Sequence, residues 1–150
     1  MPLSSVSGRL TSLRHAGAVR GPALLAGRLV AALGLGVTGY VHLHLAATYD
    51  GIGQTLTVGD LFRAQGAVAV LAAVLVVAVR RRWAAALALL VGAGSAAATT
   101  LSVYLRIPPV GPLPELYEPV WYPEKTLAAV TAGLAALAAA ALMTGRDRAR

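Results

Sequence analysis

Four stretches of 19 to 23 mostly apolar residues, at 29–49, 61–79, 83–105 and 126–144, dominate this chain. A helix rises about 1.5 Å per residue, so about 20 apolar residues cross the hydrocarbon of a bilayer. Together the runs fill more than half of the 150 residues and leave no room for a separate soluble domain. Only 13% of residues are charged, against roughly a quarter in soluble domains. The expected fold class is all-α: one membrane domain over 29–144, built as a four-transmembrane-helix bundle.

Charge sets the expected orientation, because short loops rich in Lys and Arg stay in the cytoplasm. Ten of the thirteen basic residues lie before the first run, between the second and third, or after the fourth. These are Arg9, Arg14, Arg20, Arg28, Arg80, Arg81, Arg82, Arg146, Arg148 and Arg150. The other side carries only Arg63, Arg106 and Lys125, together with every acid except Asp147. Both termini are expected in the cytoplasm of a cell (plasma) membrane, with loops 50–60 and 106–125 outside. Residues 1–28 read as a basic, mobile cytoplasmic tail and 145–150 as a second basic tail. The first run is longer than the ~7–15 residues of a signal peptide and lacks a clear cleavage site, so it reads as retained. The net charge of +7 is no nucleic-acid signal. Its arginines flank apolar runs, where anionic lipid headgroups are the expected partner.

Small residues recur at a spacing of four: Gly92 with Ala96, Gly94 with Ala98, Ala129 with Gly133, and Ala132 with Ala136 and Ala140. Gly34, Gly36 and Gly39 sit inside the first run. Such spacing lets membrane helices approach closely, within one bundle or between subunits. The loop 106–125 carries Pro108, Pro109, Pro112, Pro114, Pro119 and Pro123. Prolines exclude a long helix there. Tyr117, Trp121 and Tyr122 favour the headgroup layer, so the segment reads as a semi-rigid flap. Pro123 suits the first turn of the fourth helix, and Glu124 suits its positive end.

Polar residues inside the runs gather toward the outer ends. Thr38 and His42 are four apart, as are Tyr40 and His44, while Ser95, Thr99, Ser102 and Arg106 share one helical face. His42, His44, Gln65 and Thr99 fall at a similar depth, roughly 6 to 11 Å below the outer boundary. Two readings follow. The polar groups fix helix register by hydrogen bonds, or they line a pocket open to the outside beneath the flap. The pocket would take His42 or His44, Arg63 or Gln65, and Thr99, because residues two apart point about 200° away from each other. Further candidates are Tyr40, Ser102 and, from the loop, Glu115, Tyr117, Glu118, Trp121 and Tyr122. Arg63 is expected to pair with Asp60, Glu115 or Glu118, since an unpaired cation below the interface is costly.

Cofactor signals are weak. The same 200° separation prevents His42 and His44 from sharing one ion, and the remaining carboxylates, Asp50, Glu115 and Glu118, are on loops. No metal site is expected. An intrachain bis-histidine haem lacks a second histidine on another run, although a dimer could supply one. Cysteine is absent, which excludes disulfides and thiolate chemistry. There is no Gly-rich phosphate loop, no Gly-x-Ser-x-Gly and no His-Glu-x-x-His.

The segment Tyr40 to Gln65 reads YVHLHL, then YD, then LFRAQ, and Leu116 to Lys125 reads LYEPVWYPEK. With these motifs the chain resembles a group of small four-helix membrane proteins of high-GC actinobacterial type, over most of residues 29–144. That group implies the fold and no activity. In layout the chain is also similar to DoxX-type four-helix membrane proteins, some of which are linked to quinone chemistry. The sequence leads to a scaffold or accessory subunit, packing against itself or a larger membrane complex. The alternatives are a quinone- or lipid-linked redox enzyme using Tyr40, His42, His44 and Gln65, and an oligomeric transporter or channel.

Overall fold

The computed structural model describes the backbone over residues 4–147 and the side chains over 21–145. Parts of the two tails, 1–28 and 145–150, therefore lie outside the described residues. Four helices follow one another: α1 (Ser4–Leu45), α2 (Val58–Ala78), α3 (Arg82–Tyr104) and α4 (Pro123–Asp147). A single 3-10 turn, Ala46–Tyr49, extends α1. Among the described residues there is no strand, only one bridge between Val110 and Leu113 that folds the long loop back on itself.

All four helices are long and apolar enough to cross a membrane, over Gly21–Tyr49, Val58–Ala78, Arg82–Tyr104 and Pro123–Gly145. Their outward faces are apolar too: Leu33, Leu90 and Leu137 are each about 70% exposed. Surfaces of that kind belong in lipid. The chain is a multi-pass membrane protein. Three of the spans begin and end within three residues of the sequence expectation. The first also ends where expected, and it contains Arg28, which does not mark a boundary. This arginine is 7% exposed, and its guanidinium donates to the carbonyls of Val76 at 2.6 Å and Val79 at 3.2 Å. These lie at the end of α2, where carbonyls lack partners within the helix. Arg28 thus works as a C-terminal cap supplied by a neighbouring helix.

The other end of α2 is capped locally. The Thr57 side chain accepts from the Asp60 amide at 3.0 Å, and the Asp60 carboxylate accepts from the Thr57 amide and hydroxyl. This reciprocal pair satisfies two amides that the helix itself leaves open.

The interior is built largely from alanine: Ala31, Ala72, Ala73, Ala85, Ala88, Ala135 and Ala139, with Leu35, Val76 and Leu142. Small side chains allow close contact. A Cβ on Gly34 would lie 2.5 Å from the Thr131 carbonyl oxygen, and one on Gly92 would lie 2.8 Å from that of Ala132. These glycines seat α1 and α3 against α4. Gly36, Gly94 and Gly133, by contrast, have no neighbour within 4 Å and face outward.

The contacts order the helices around the bundle as α1, α2, α3, α4. α1 packs closely on α2 and α4, and α3 packs closely on α4. The α2–α3 seam is much looser, and α2 does not touch α4 among the described residues. The loops at 46–57 and 105–122 share one end of the bundle, here the loop end. The short α2–α3 turn lies at the opposite end.

Candidate functional site

A cavity of about 520 Å³ occupies the loop end, with walls from all four helices and a roof from the long loop. His42 of α1 enters it on the face that also carries Thr38, Leu45 and Tyr49. These residues stand four, three and four apart, so they fall on one side of a helix. Thr38 is fully buried against α4, donating to the Ala128 carbonyl or sharing a bond with the Thr131 hydroxyl at 2.9 Å. His42 is 8% exposed, and its Nδ1 lies 2.8 Å from the Thr38 carbonyl. A carbonyl only accepts, so Nδ1 carries the hydrogen. In the uncharged ring, Nε2 is then an acceptor. Phe62 packs edge-on to His42, ring centroids 5.1 Å apart, and lies 4.8 Å from the Tyr49 ring.

Gln65 of α2 and Ser95, Thr99 and Ser102 of α3 complete the polar wall. Ser102 donates to the Thr99 carbonyl at 2.8 Å. Gln65 Nε2 and Ser95 Oγ are buried, and neither has a hydrogen-bond partner. Ser95 is 4% exposed.

The roof is pinned at Glu118. Its amide donates to the Ser102 carbonyl at 2.8 Å, which fixes the loop to the end of α3. Its carboxylate accepts from the Tyr49 hydroxyl at 2.6 Å and from the Tyr122 hydroxyl at 3.4 Å. Lys125, only 5% exposed, donates to the Glu118 carbonyl at 2.8 Å and to its carboxylate at 3.1 Å. Burial raises the Tyr122 phenol above its ordinary pKa, and the Glu118 carboxylate adds to this. The hydroxyl therefore stays protonated at neutral pH and remains a donor.

The either-or expectation for the pocket resolves to one member of each pair. His42, Gln65 and Thr99 line the cavity, as do Ser102, Glu115, Tyr117, Glu118 and Tyr122. His44, Arg63, Tyr40 and Trp121 do not. His44 is exposed and stacks on Tyr40 at 5.6 Å. The Trp121 indole donates to the Tyr104 hydroxyl at 3.3 Å on the exposed surface. Arg63 makes a two-pronged pair with Asp50, at 2.6 and 2.7 Å, and reaches Asp60 at 3.5 Å. Of its expected partners, Asp60 is met at the longer distance, while Glu115 and Glu118 serve Arg106 and Lys125 instead. Asp50 was missed because the 3-10 turn, invisible to helical periodicity, carries it back toward α2. The Arg63 guanidinium holds the Asp50 carboxyl below its usual range. Both side chains are nearly half exposed, so the pair contributes little to stability.

Tyr49 and Lys125 also escaped the sequence reading as site residues. Tyr49 lies seven residues past His42 on the same face, a signal that extending the four-residue spacing would have found. Nothing in the sequence marks Lys125 as buried. That depends on how the loop folds back.

The polar layer is not uniform in its bonding. Thr38 and Thr131 hydrogen-bond across helices, as register-fixing groups do. Gln65 and Ser95 belong to different helices and meet no partner. The chain matches no family model, no curated protein and no solved structure.

Proposed function

We propose that this protein binds a lipid-soluble small molecule in its loop-end cavity, in the outer half of a plasma membrane that holds both termini on the cytoplasmic side. One observation carries the binding reading. Two buried polar groups on separate helices, Gln65 Nε2 and Ser95 Oγ, border a cavity and have no partner. An unsatisfied polar group in a dry interior costs about 1–3 kcal/mol. A network evolved only to tie helices together would have joined them to each other, as it joins Thr38 to Thr131. The volume falls within the roughly 300–1,000 Å³ of small-molecule sites.

The test is the content of the purified protein. Solvent extraction after gentle detergent isolation should release a small amphiphile in near-equal amount to the wild-type chain. Gln65→Leu and His42→Leu variants should keep wild-type helicity and size and lose most of it. If no small molecule is recovered from the wild type and both variants are merely destabilised, the polar layer is structural. The scaffold reading then gains ground. It is favoured by Gly36, Gly94 and Gly133, which leave open surface for a second copy or a larger complex.

The orientation rests on the ten-to-three split of basic residues. The natural absence of cysteine makes it easy to check. Gly53→Cys and Gly111→Cys should react with an impermeant maleimide in whole cells, and Thr144→Cys should react only after lysis. The opposite pattern would invert the protein in the membrane.

A further inference from the structure

We infer that the ligand has an uncharged head bearing a carbonyl and an apolar tail, and that it enters sideways from the bilayer between α2 and α3. This rests on the cavity being a binding site.

The head follows from which groups are unspent. The charged side chains on the cavity wall are Glu115, Glu118 and Lys125, and each is already in an ion pair, with Arg106 or with one another. The groups left without a partner are the Gln65 amide nitrogen, a donor, and the Ser95 hydroxyl, which can donate or accept. Gln65 lies about 10 Å, and Ser95 about 13 Å, from the loop ends of their helices. At that depth a charged head would meet no counter-charge, and desolvating it would be costly. A neutral carbonyl can accept from either one. His42 Nε2 can accept from a hydroxyl on the same head.

The route follows from the helices. Ala64 and Val68 of α2 and Ala98 of α3 line the cavity and are also exposed at the protein surface. They stand on the two neighbouring helices that touch least. Ala64 and Ala98 are each six residues from the loop end, about 9 Å, and Val68 is about 15 Å deep. The opening therefore faces hydrocarbon and not the aqueous phase. The roof, meanwhile, is pinned to α3 and Lys125 through Glu118. A cavity of about 520 Å³ is the size of a whole small-molecule site, and a tail longer than it holds would leave through this gap.

The experiment uses full-length protein in phosphatidylcholine nanodiscs and a long-chain methyl ketone with a diazirine in its tail as photoprobe. Labelled residues are read by peptide mass spectrometry. Unlabelled ketone should suppress labelling of α2 and α3 saturably. A fatty acid and a fatty quaternary ammonium of equal chain length should not. Ser95→Ala and Gln65→Leu should each weaken competition about five- to tenfold, the equivalent of one lost neutral hydrogen bond. Ala98→Trp, which narrows the side opening, should abolish saturable labelling, while Gly51→Trp, at the loop end and off the cavity wall, should leave it intact. Circular dichroism and gel filtration on every variant separate misfolding from lost binding. Equal competition by a charged amphiphile would overturn the head assignment. Loss in Gly51→Trp with retention in Ala98→Trp would overturn the route. If extraction yields a bound molecule while the ketone shows no saturable labelling, the inference falls and the binding reading stands. If neither appears, both fall.

Discussion

Leucine at Gly34 or Gly92 should keep the bundle from closing. At both positions the facing atom is a backbone carbonyl oxygen of α4, which cannot rotate aside as a side chain can. Overpacking a well-filled interior costs about 1–3 kcal/mol when side chains can yield, and more when the backbone must shift. Here α4 would have to move away from α1 or α3, opening the alanine core along its length. Expression in the membrane should fall, and any purified protein should unfold in far milder denaturing detergent than wild type. Gly94→Leu and Gly36→Leu, each two residues away, place the same side chain in open space and should leave the monomer unaffected. A Gly34→Leu or Gly92→Leu protein with wild-type unfolding would mean that the helices do not approach as described. Loss of a native oligomer in Gly94→Leu alone would assign the outward small residues to an interface.

Removing the Arg28 side chain should produce the second large loss. The guanidinium satisfies two carbonyls at the end of α2 while sitting inside the bundle. Hydrogen bonds to charged groups are worth about 1.5–3 kcal/mol, and the positive charge also faces the negative end of the α2 dipole. Arg28→Leu strands both carbonyls and should cost on the order of 3 kcal/mol. Arg28→Lys should recover only part, since a point ammonium lacks the planar fork that reaches two acceptors at once. Unfolding in a graded series of mixed micelles would measure both. Equal stability of the Leu variant and wild type would show that water or lipid headgroups satisfy these carbonyls.

The contrast between Arg28 and the apolar runs shows what was legible in the sequence. A span must satisfy its backbone internally over about 20 residues, so its signal is local and unmistakable. The helical face of Ser95, Thr99 and Ser102 was legible for the same reason, being a matter of spacing along one helix. So was the need to choose between His42 and His44, and between Arg63 and Gln65. Spacing alone could not say which of each pair faces inward. That is set by the rotation of each helix against its neighbours. Arg28 looked like a flanking charge because its acceptors are 48 and 51 residues away on another helix. Asp50 and Lys125 depend on irregular backbone, a 3-10 turn and a proline-rich loop, whose paths no periodicity encodes.

On the inferred route, the loose seam between α2 and α3 leaves one side of the cavity to be closed by lipid. In a membrane that side is completed by whichever acyl chains lie alongside. The shape of the site then belongs jointly to the chain and to its surroundings. Lateral pressure, chain unsaturation and the thickness of the hydrocarbon layer become determinants of it, on equal footing with the side chains. A detergent micelle, which exerts no comparable sideways pressure, supplies a different wall.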